Sequence, residues 1–117
     1  MNYRFINTEY LEMVSGGNRE ITEELISIFR QQAEEFYEQL NGLLRNGKYK
    51  ELGLLAHKAK SSVAIMGMEE MSVMLKEMEI NARDEINTES YPDVIERFRT
   101  DTTEAIKELE HYISTLQ

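Results

Sequence analysis

Apolar residues recur along most of this chain at steps of three and four residues, the spacing that places them on one face of an α-helix. A short first helix is predicted over residues 8–14, with Thr8 as its N-cap and Ser15-Gly16-Gly17 as its end. Four longer helices are predicted over residues 18–46, 49–66, 69–84 and 92–116. The apolar stripe of the second helix consists of Ile21, Leu25, Ile28, Phe29, Phe36, Leu40 and Leu43.

The connections between these helices are short. Gly47 and Gly67 each follow an apolar stripe, as a glycine at the C-terminal end of a helix commonly does, and residues 88–91 form a loop before Pro92. No stretch alternates apolar and polar residues as a half-buried strand would. The pattern therefore predicts an all-α fold: an antiparallel up-down-up-down four-helix bundle with a short additional N-terminal helix, forming a single domain over residues 1–117.

Composition narrows the class of protein. The 117 residues include no cysteine, which excludes disulfides and thiolate metal sites. The formal net charge of −9 argues against nucleic acid as a general partner. No apolar run approaches the roughly 18 residues that a transmembrane helix needs, and residues 1–10 lack the apolar core of a signal peptide. We expect a monomer in the cytoplasm that binds neither membranes nor metal ions.

Positive charge is concentrated in one segment of this acidic chain. Residues 45–60 carry five basic side chains and one acidic side chain, which gives the segment a formal charge of +4. The same segment contains His57, one of two histidines in the chain. A cluster of this kind is often only a solvated helix face, but the histidine at its centre makes a functional interpretation equally reasonable.

The period of the third helix directs His57 towards solvent. At about 100° per residue, His57 falls about 160° from the centre of the apolar stripe. That stripe consists of Leu52, Leu55, Ala56, Ala59, Ser62, Val63 and Met66. The residues one and two turns away from His57, namely Gly53, Ser61 and Ala64, are small and leave the imidazole unshielded. Glycine is unfavourable inside a helix, so Gly53 indicates that something approaches its backbone closely.

An exposed imidazole among ammonium groups suits attack on an anionic phosphoryl centre. Lys60 follows His57 by three residues, so the two side chains can meet, and Lys50 and Lys58 add positive potential. In this chemistry the imidazole is the nucleophile, and the lysines offset the phosphate charge. The alternative is an exposed histidine without a function, which is the usual state of a surface histidine.

The segment from Ala56 to Gly67 resembles the signature of the histidine-containing phosphotransfer (HPt) domain family. In that signature a lysine, a glycine, a serine and a second glycine follow the phosphoacceptor histidine at fixed spacing. With His57 as the acceptor, Lys60, Ser62 and Gly67 match, and Ser61 stands where the family has its first glycine. Because serine is also small, we expect transfer to be retained.

The resemblance implies a mechanism and a set of site residues. A receiver domain phosphorylated on an aspartate would dock over His57, whose Nε2 would take the phosphoryl group and pass it to a second receiver. Lys60 would stabilise the phosphate charge, whereas Ser62 and Gly67 would be structural. The expected docking residues are Lys50, Gly53, Leu54, Lys58, Ser61, Ala64 and Met68.

The resemblance also implies what the chain lacks. The family has no ATP site and no cofactor of its own, since the receiver supplies Mg²⁺, and the sequence contains no glycine-rich phosphate-binding loop. The chain is therefore not expected to be an enzyme with autokinase activity. Its expected partners are receiver domains of response regulators, which can belong to a hybrid histidine kinase.

Two other functions compete with this one. Metal-carboxylate bundles use paired Glu-x-x-His motifs. Residues 108–111 supply one such motif, but the third helix has Leu54 where its glutamate would be needed. The second alternative is a degenerate HPt domain that binds receivers without being phosphorylated, and its motivation is the serine at position 61.

Overall fold

The computed structural model describes residues 3–116 and is all-helical over that range, as the sequence predicts. A 3₁₀ turn, Thr88–Ser90, lies where the sequence analysis predicts a loop. No helix in the described part of the chain is both long and apolar enough to cross a bilayer. The α-helices are α1 Thr8–Ser15, α2 Arg19–Arg45, α3 Tyr49–Ile65, α4 Glu69–Arg83 and α5 Tyr91–Thr115.

Asparagine side chains cap the N-terminal ends of the first two helices. The Asn18 side chain accepts a hydrogen bond from the backbone N–H of Ile21, so Asn18 is the N-cap of α2. The prediction of Thr8 as the N-cap of α1 is wrong, because the cap is Asn7. Its Oδ1 accepts from the backbone N–H groups of Glu9 and Tyr10, at 3.0 and 3.2 Å. Thr8 is instead the first residue of the helix.

Left-handed glycines end α2 and α3. Gly47 has φ +66° and Gly67 has φ +73°, a region that other residues rarely adopt. Gly67 is constrained a second time, because a Cβ atom there would lie 2.5 Å from Cβ of Asn7 and 2.7 Å from its backbone N. The segment before α1 therefore packs directly on the turn between α3 and α4.

The core lies between the four long helices. α3 packs against α2 and α4, and α5 packs against the same two helices. Two residues of the predicted apolar stripe of α2, Ile21 and Ile28, do not lie in the core, because their side chains are about half exposed. The largest fully buried side chains are Tyr91, Phe29, Phe98, Leu11, Leu40, Leu52, Met71, Leu75, Met78, Ile95, Leu109 and Val63.

Candidate functional site

The α3 helix turns His57 away from the core. Its side chain is 56% exposed, whereas Ala56 and Ala59 on either side of it are fully buried. The exposure follows from the helical period, because Leu52, Ala56, Ala59 and Val63 already occupy the face that packs in the bundle.

A carboxylate on α4 holds the imidazole. Nδ1 of His57 lies 3.1 Å from both Oε1 and Oε2 of Glu79, whose side chain is only 17% exposed. An ionised carboxylate can only accept hydrogen bonds, so Nδ1 carries the proton and donates. In neutral imidazole the lone pair then resides on Nε2, which has no hydrogen-bond partner among residues 3–116. The site therefore presents an accessible ring with its nucleophilic nitrogen free.

Two cations share the same carboxylate. Nζ of Lys60 lies 3.6 Å from Oε1 of Glu79, and a guanidinium nitrogen of Arg83 lies 3.8 Å from Oε2. The lysine is mostly buried, with 21% of its side chain exposed, whereas Arg83 is largely exposed. The result is a cluster of one histidine, one glutamate and two cations, in which Glu79 contacts all three partners.

Glu79 and Arg83 are the members of this cluster that the sequence analysis misses. The signal available was their separation by four residues on one face of a helix, the spacing of an ion pair. That spacing does not say which face of α4 meets His57, because this depends on how α4 is rotated about its own axis against α3.

Gly53 and Met68 correct the predicted docking surface, because both are buried. A Cβ atom at Gly53 would lie 3.1 Å from Cβ of Ala82 and 3.2 Å from the carbonyl oxygen of Glu79. The close approach that the glycine indicated is therefore that of α4, within the chain itself. Met68 precedes α4 and is only 2% exposed, so it offers no surface to a partner.

Four other residues of the predicted docking surface are accessible. Leu54, Lys58 and Ser61 are exposed, and Ala64 is partly exposed. The Ser61 hydroxyl donates to the carbonyl oxygen of His57 at 3.3 Å, so it is directed back along its own helix. These residues leave the imidazole open to an incoming group.

Lys50 is exposed, as a docking residue must be, and its ammonium group contacts the end of α4. Its Nζ donates to the carbonyl oxygen of Arg83 at 3.2 Å and lies 3.8 Å from a carboxylate oxygen of Glu85. A cation beside the last carbonyl groups of a helix stabilises that end of the helix. Lys50 therefore interacts with the C-terminal end of α4.

Ser62 and Gly67 both have structural contacts. The Ser62 hydroxyl, which is nearly buried, donates to the side-chain oxygen of Gln32 at 2.9 Å and so links α3 to α2. Gly67 provides the left-handed turn against Asn7. Neither residue contacts the imidazole.

The second histidine, His111, belongs to a different contact. Its Nδ1 is hydrogen-bonded to the Tyr3 hydroxyl, at 2.7 Å. Glu108, the glutamate of the Glu-x-x-His motif, has its carboxylate occupied by backbone N–H groups at 2.9 to 3.2 Å, which belong to Arg4, Phe5 and Ile6. The motif therefore fixes the N-terminal segment against α5.

Comparison with protein-family models gives a match over most of the chain. The model of the Hpt domain matches residues 24–117, which include most of α2 and all of α3, α4 and α5. The chain belongs to the Hpt domain family. Hpt domains are phosphotransfer modules that interact with receiver domains in phosphorelays. In this Hpt domain, α1 and the segment before it lie outside the matched residues. Comparisons with curated proteins and with solved structures gave no match.

Proposed function

We propose that this Hpt domain is a phosphorelay shuttle, in which Nε2 of His57 accepts a phosphoryl group from a receiver aspartate and passes it to another receiver. The observation that carries the proposal is the exposed imidazole held through Nδ1 by Glu79. That contact favours the tautomer in which Nε2 is the nucleophile.

In the proposed transfer, the reacting groups are the imidazole of His57 and the phosphorylated aspartate of the receiver. The Nε2 lone pair forms a bond to phosphorus while the bond from phosphorus to the aspartyl oxygen breaks, and the aspartate leaves as a carboxylate with the electron pair. The imidazole then carries phosphate on Nε2 and a proton on Nδ1, so its ring is positive. The Glu79 carboxylate, 3.1 Å from Nδ1, stabilises that charge. The protonated ring is also a good leaving group for the second transfer.

Lys60 and Arg83 support the same step. Both are cations adjoining Glu79, at 3.6 and 3.8 Å, and positive charge there offsets the charge of the incoming phosphoryl group. Because Lys60 is mostly buried, its ammonium group is better fixed in place than that of a surface lysine.

The receiver is expected to dock on the exposed residues around His57, namely Leu54, Lys58, Ser61 and Ala64. We expect the Hpt domain to need no cofactor of its own, with Mg²⁺ bound by the receiver, and to have no autokinase activity. We further expect it to act as a monomer in the cytoplasm.

We also infer that α2 to α5 run alternately up and down. Connections of three residues join α2 to α3 and α3 to α4, and helices joined so closely pack as antiparallel neighbours. The packing of α5 against both α2 and α4 is consistent with a closed ring of four helices.

A degenerate Hpt domain remains the second candidate. It is favoured by Ser61, whose hydroxyl lies one turn from His57 where the family signature has glycine. In such a domain receivers would bind, but His57 would not be phosphorylated.

Phosphorylation of the whole chain by a charged receiver tests the proposal. Mass spectrometry should find one acid-labile phosphate on the wild type and none on His57→Gln. Circular dichroism should show equal helicity for the two proteins, because the His57 side chain is exposed. His111→Gln is the matched control and should be labelled like the wild type. Labelling of His57→Gln would contradict the proposal, and an unlabelled wild type that binds receivers would favour the degenerate domain.

A further inference from the structure

Ser61 is the residue of this site that departs from the family signature, and it lies one helical turn from the phosphoacceptor. Its side chain is exposed, as is that of His57. Residues four apart on a helix have their Cβ atoms about 5–6 Å apart on the same face. Side chains of a helix also lean towards its N-terminus, so the side chain of Ser61 leans towards His57. A hydroxyl group therefore adjoins the imidazole at a position where glycine would supply none.

The contact with Glu79 determines which side of the imidazole is turned towards Ser61. At about 100° per residue along α3, Gly53 and Lys60 lie to one side of His57, and Ser61 lies about 40° to the other side. Both Gly53 and Lys60 approach Glu79, so α4 is on their side. Glu79 turns Nδ1 of the imidazole in that direction. Because Nε2 is in the opposite half of the ring, it is turned away from α4, towards the side of Ser61.

The hydroxyl of Ser61 is available for a stronger acceptor. It donates to the carbonyl oxygen of His57 at 3.3 Å, whereas hydrogen bonds between oxygen atoms are commonly about 2.7–2.8 Å long. That carbonyl oxygen also accepts the regular backbone hydrogen bond of α3, so it does not need the hydroxyl. Charged phosphoryl oxygens accept shorter and stronger hydrogen bonds than a backbone carbonyl does. Rotation about χ1 of Ser61 would exchange one acceptor for the other.

Charge on this side of the imidazole also suits a phosphoryl group. Lys58 is exposed and lies about 100° from His57 around the helix, on the same side as Ser61. The carboxylate of Glu79 is on the other side, against Nδ1. A phosphoryl group on Nε2 would therefore have a hydroxyl and an ammonium group beside it, with the carboxylate behind the ring.

We propose that the Ser61 hydroxyl donates a hydrogen bond to the phosphoryl group on Nε2 of His57, and so makes this chain hold phosphate more firmly than it would with glycine at position 61. The hydrogen bond forms only in the phosphorylated chain. It therefore shifts the equilibrium of transfer towards phosphohistidine and lengthens the lifetime of phosphohistidine in water. This inference rests on the proposed phosphotransfer at His57, and it gives Ser61 a role opposite to the one in a degenerate domain.

The equilibrium of phosphotransfer tests the proposal independently of docking. A receiver domain is charged with acetyl phosphate, freed of the excess donor and mixed with the whole chain. Rapid quenching then gives the plateau ratio of phosphohistidine to phosphoaspartate. A change in docking alters the forward and reverse rates by the same factor, so it leaves this ratio unchanged. Ser61→Ala should lower the ratio about fivefold, because one charge-assisted hydrogen bond is lost.

Three further variants make the test specific to the hydroxyl group. Ser61→Gly should lower the ratio as Ser61→Ala does, whereas Ser61→Thr retains the hydroxyl and should resemble the wild type. Ser27→Ala is the matched control, since Ser27 is an exposed serine of α2 in a groove against α5. Labelling by phosphoramidate, a small donor that needs no receiver, gives a second measurement. The half-life of phosphohistidine after this labelling should be about fivefold shorter in Ser61→Ala than in the wild type.

The outcomes separate the inference from the function on which it rests. A plateau ratio and a half-life for Ser61→Ala within about twofold of the wild type overturn the role of the hydroxyl alone. Equal losses in Ser61→Ala and Ser61→Thr also overturn it. If phosphoramidate labels His57 but no charged receiver does, the receiver step of the proposed function is wrong, and the half-life decides the inference. Labelling of Ser61→Gly but not of the wild type would overturn both and favour the degenerate domain.

Discussion

At the scale of single residues, Glu79 determines which nitrogen of His57 is available. It is mostly buried and accepts from Nδ1 while two cations lie beside it. In the proposed transfer, the Glu79 carboxylate is the acceptor for Nδ1 and the counter-charge of the phosphorylated ring.

Glu79→Gln tests this role. The amide can still accept from Nδ1 but has lost the charge that stabilises the phosphorylated ring, so transfer should slow by about tenfold with helicity unchanged. Rapid-quench measurements of phosphorylation by one charged receiver give the rate. The control is Glu77→Gln, at an exposed position two residues earlier on α4, which should leave the phosphorylation rate unaltered. An undiminished rate in Glu79→Gln would remove Glu79 from the mechanism.

Only part of this site could be predicted from the sequence. The period of α3 gives the outward direction of His57 and the nearness of Lys60, since both depend on one helix. The contact with Glu79 joins two helices, and periodicity within each helix does not determine how they pack. Gly53 was misassigned for the same reason, because it faces α4 and not an external partner.

At the scale of elements, the turn between α3 and α4 positions the helix that carries Glu79. Gly67 allows this turn, and Asn7 packs against it while its own backbone N–H donates to the carbonyl oxygen of Met66 at 3.3 Å. The N-terminal segment therefore supports the turn that orients α4 against α3.

Substitution of the two turn glycines should separate backbone strain from this packing. In Gly47→Ala the only cost is the strain of a positive φ, because no atom lies within 4 Å of the added Cβ. This variant should lose about 1–2 kcal/mol of unfolding free energy. Gly67→Ala adds a clash with Asn7 at 2.5 Å and should cost clearly more. Urea denaturation of both variants provides the comparison. Equal losses would show that Asn7 moves aside freely.

The helices were largely predictable from the sequence, but the N-cap of α1 was not. The three- and four-residue steps and the glycines gave five helices close to their observed bounds. Asn7 and Thr8 are both good N-caps, and the choice between them depends on the packing of Asn7 on Gly67, which is remote in sequence. Ile21 and Ile28 kept the helical spacing but lie at the edge of the stripe, where the neighbouring helices do not cover them.

At the scale of the whole molecule, stability should depend on pH through a buried tyrosine at the start of α5. Tyr91 is fully buried, packs edge-to-face on Tyr49 and donates its hydroxyl hydrogen to the carbonyl oxygen of Ile86 at 2.6 Å. Burial, and then the nearby Tyr49, Glu89 and Glu85, raise the pKa of Tyr91 above its ordinary value.

The sign of the effect follows from this raised pKa. The unfolded chain releases the phenolic proton at a lower pH than the folded chain, so the stabilisation is fully present below about pH 10 and is lost as pH rises through the folded-state pKa. Urea denaturation from pH 8 to 11 should therefore give a falling unfolding free energy, and Tyr91→Phe should make that fall shallower. Burial also raises the pKa of Tyr112, so some slope should remain. An unchanged slope in Tyr91→Phe would contradict this assignment.

Charge over the whole molecule also favours one face for function. The chain carries a net charge of −9, yet Lys58, Lys60 and Arg83 lie beside or near the exposed imidazole of His57. An anionic phosphoryl donor is therefore attracted to this face and repelled by most of the remaining surface.

The most direct test of phosphotransfer through Nε2 of His57 is the position of phosphate on the imidazole. Nuclear magnetic resonance of the ¹⁵N-labelled, phosphorylated chain reports which ring nitrogen is coupled to phosphorus. We expect a single phosphohistidine at His57, bonded through Nε2, with the proton retained on Nδ1 towards Glu79. Phosphorus on Nδ1 of His57, or on His111, would contradict it.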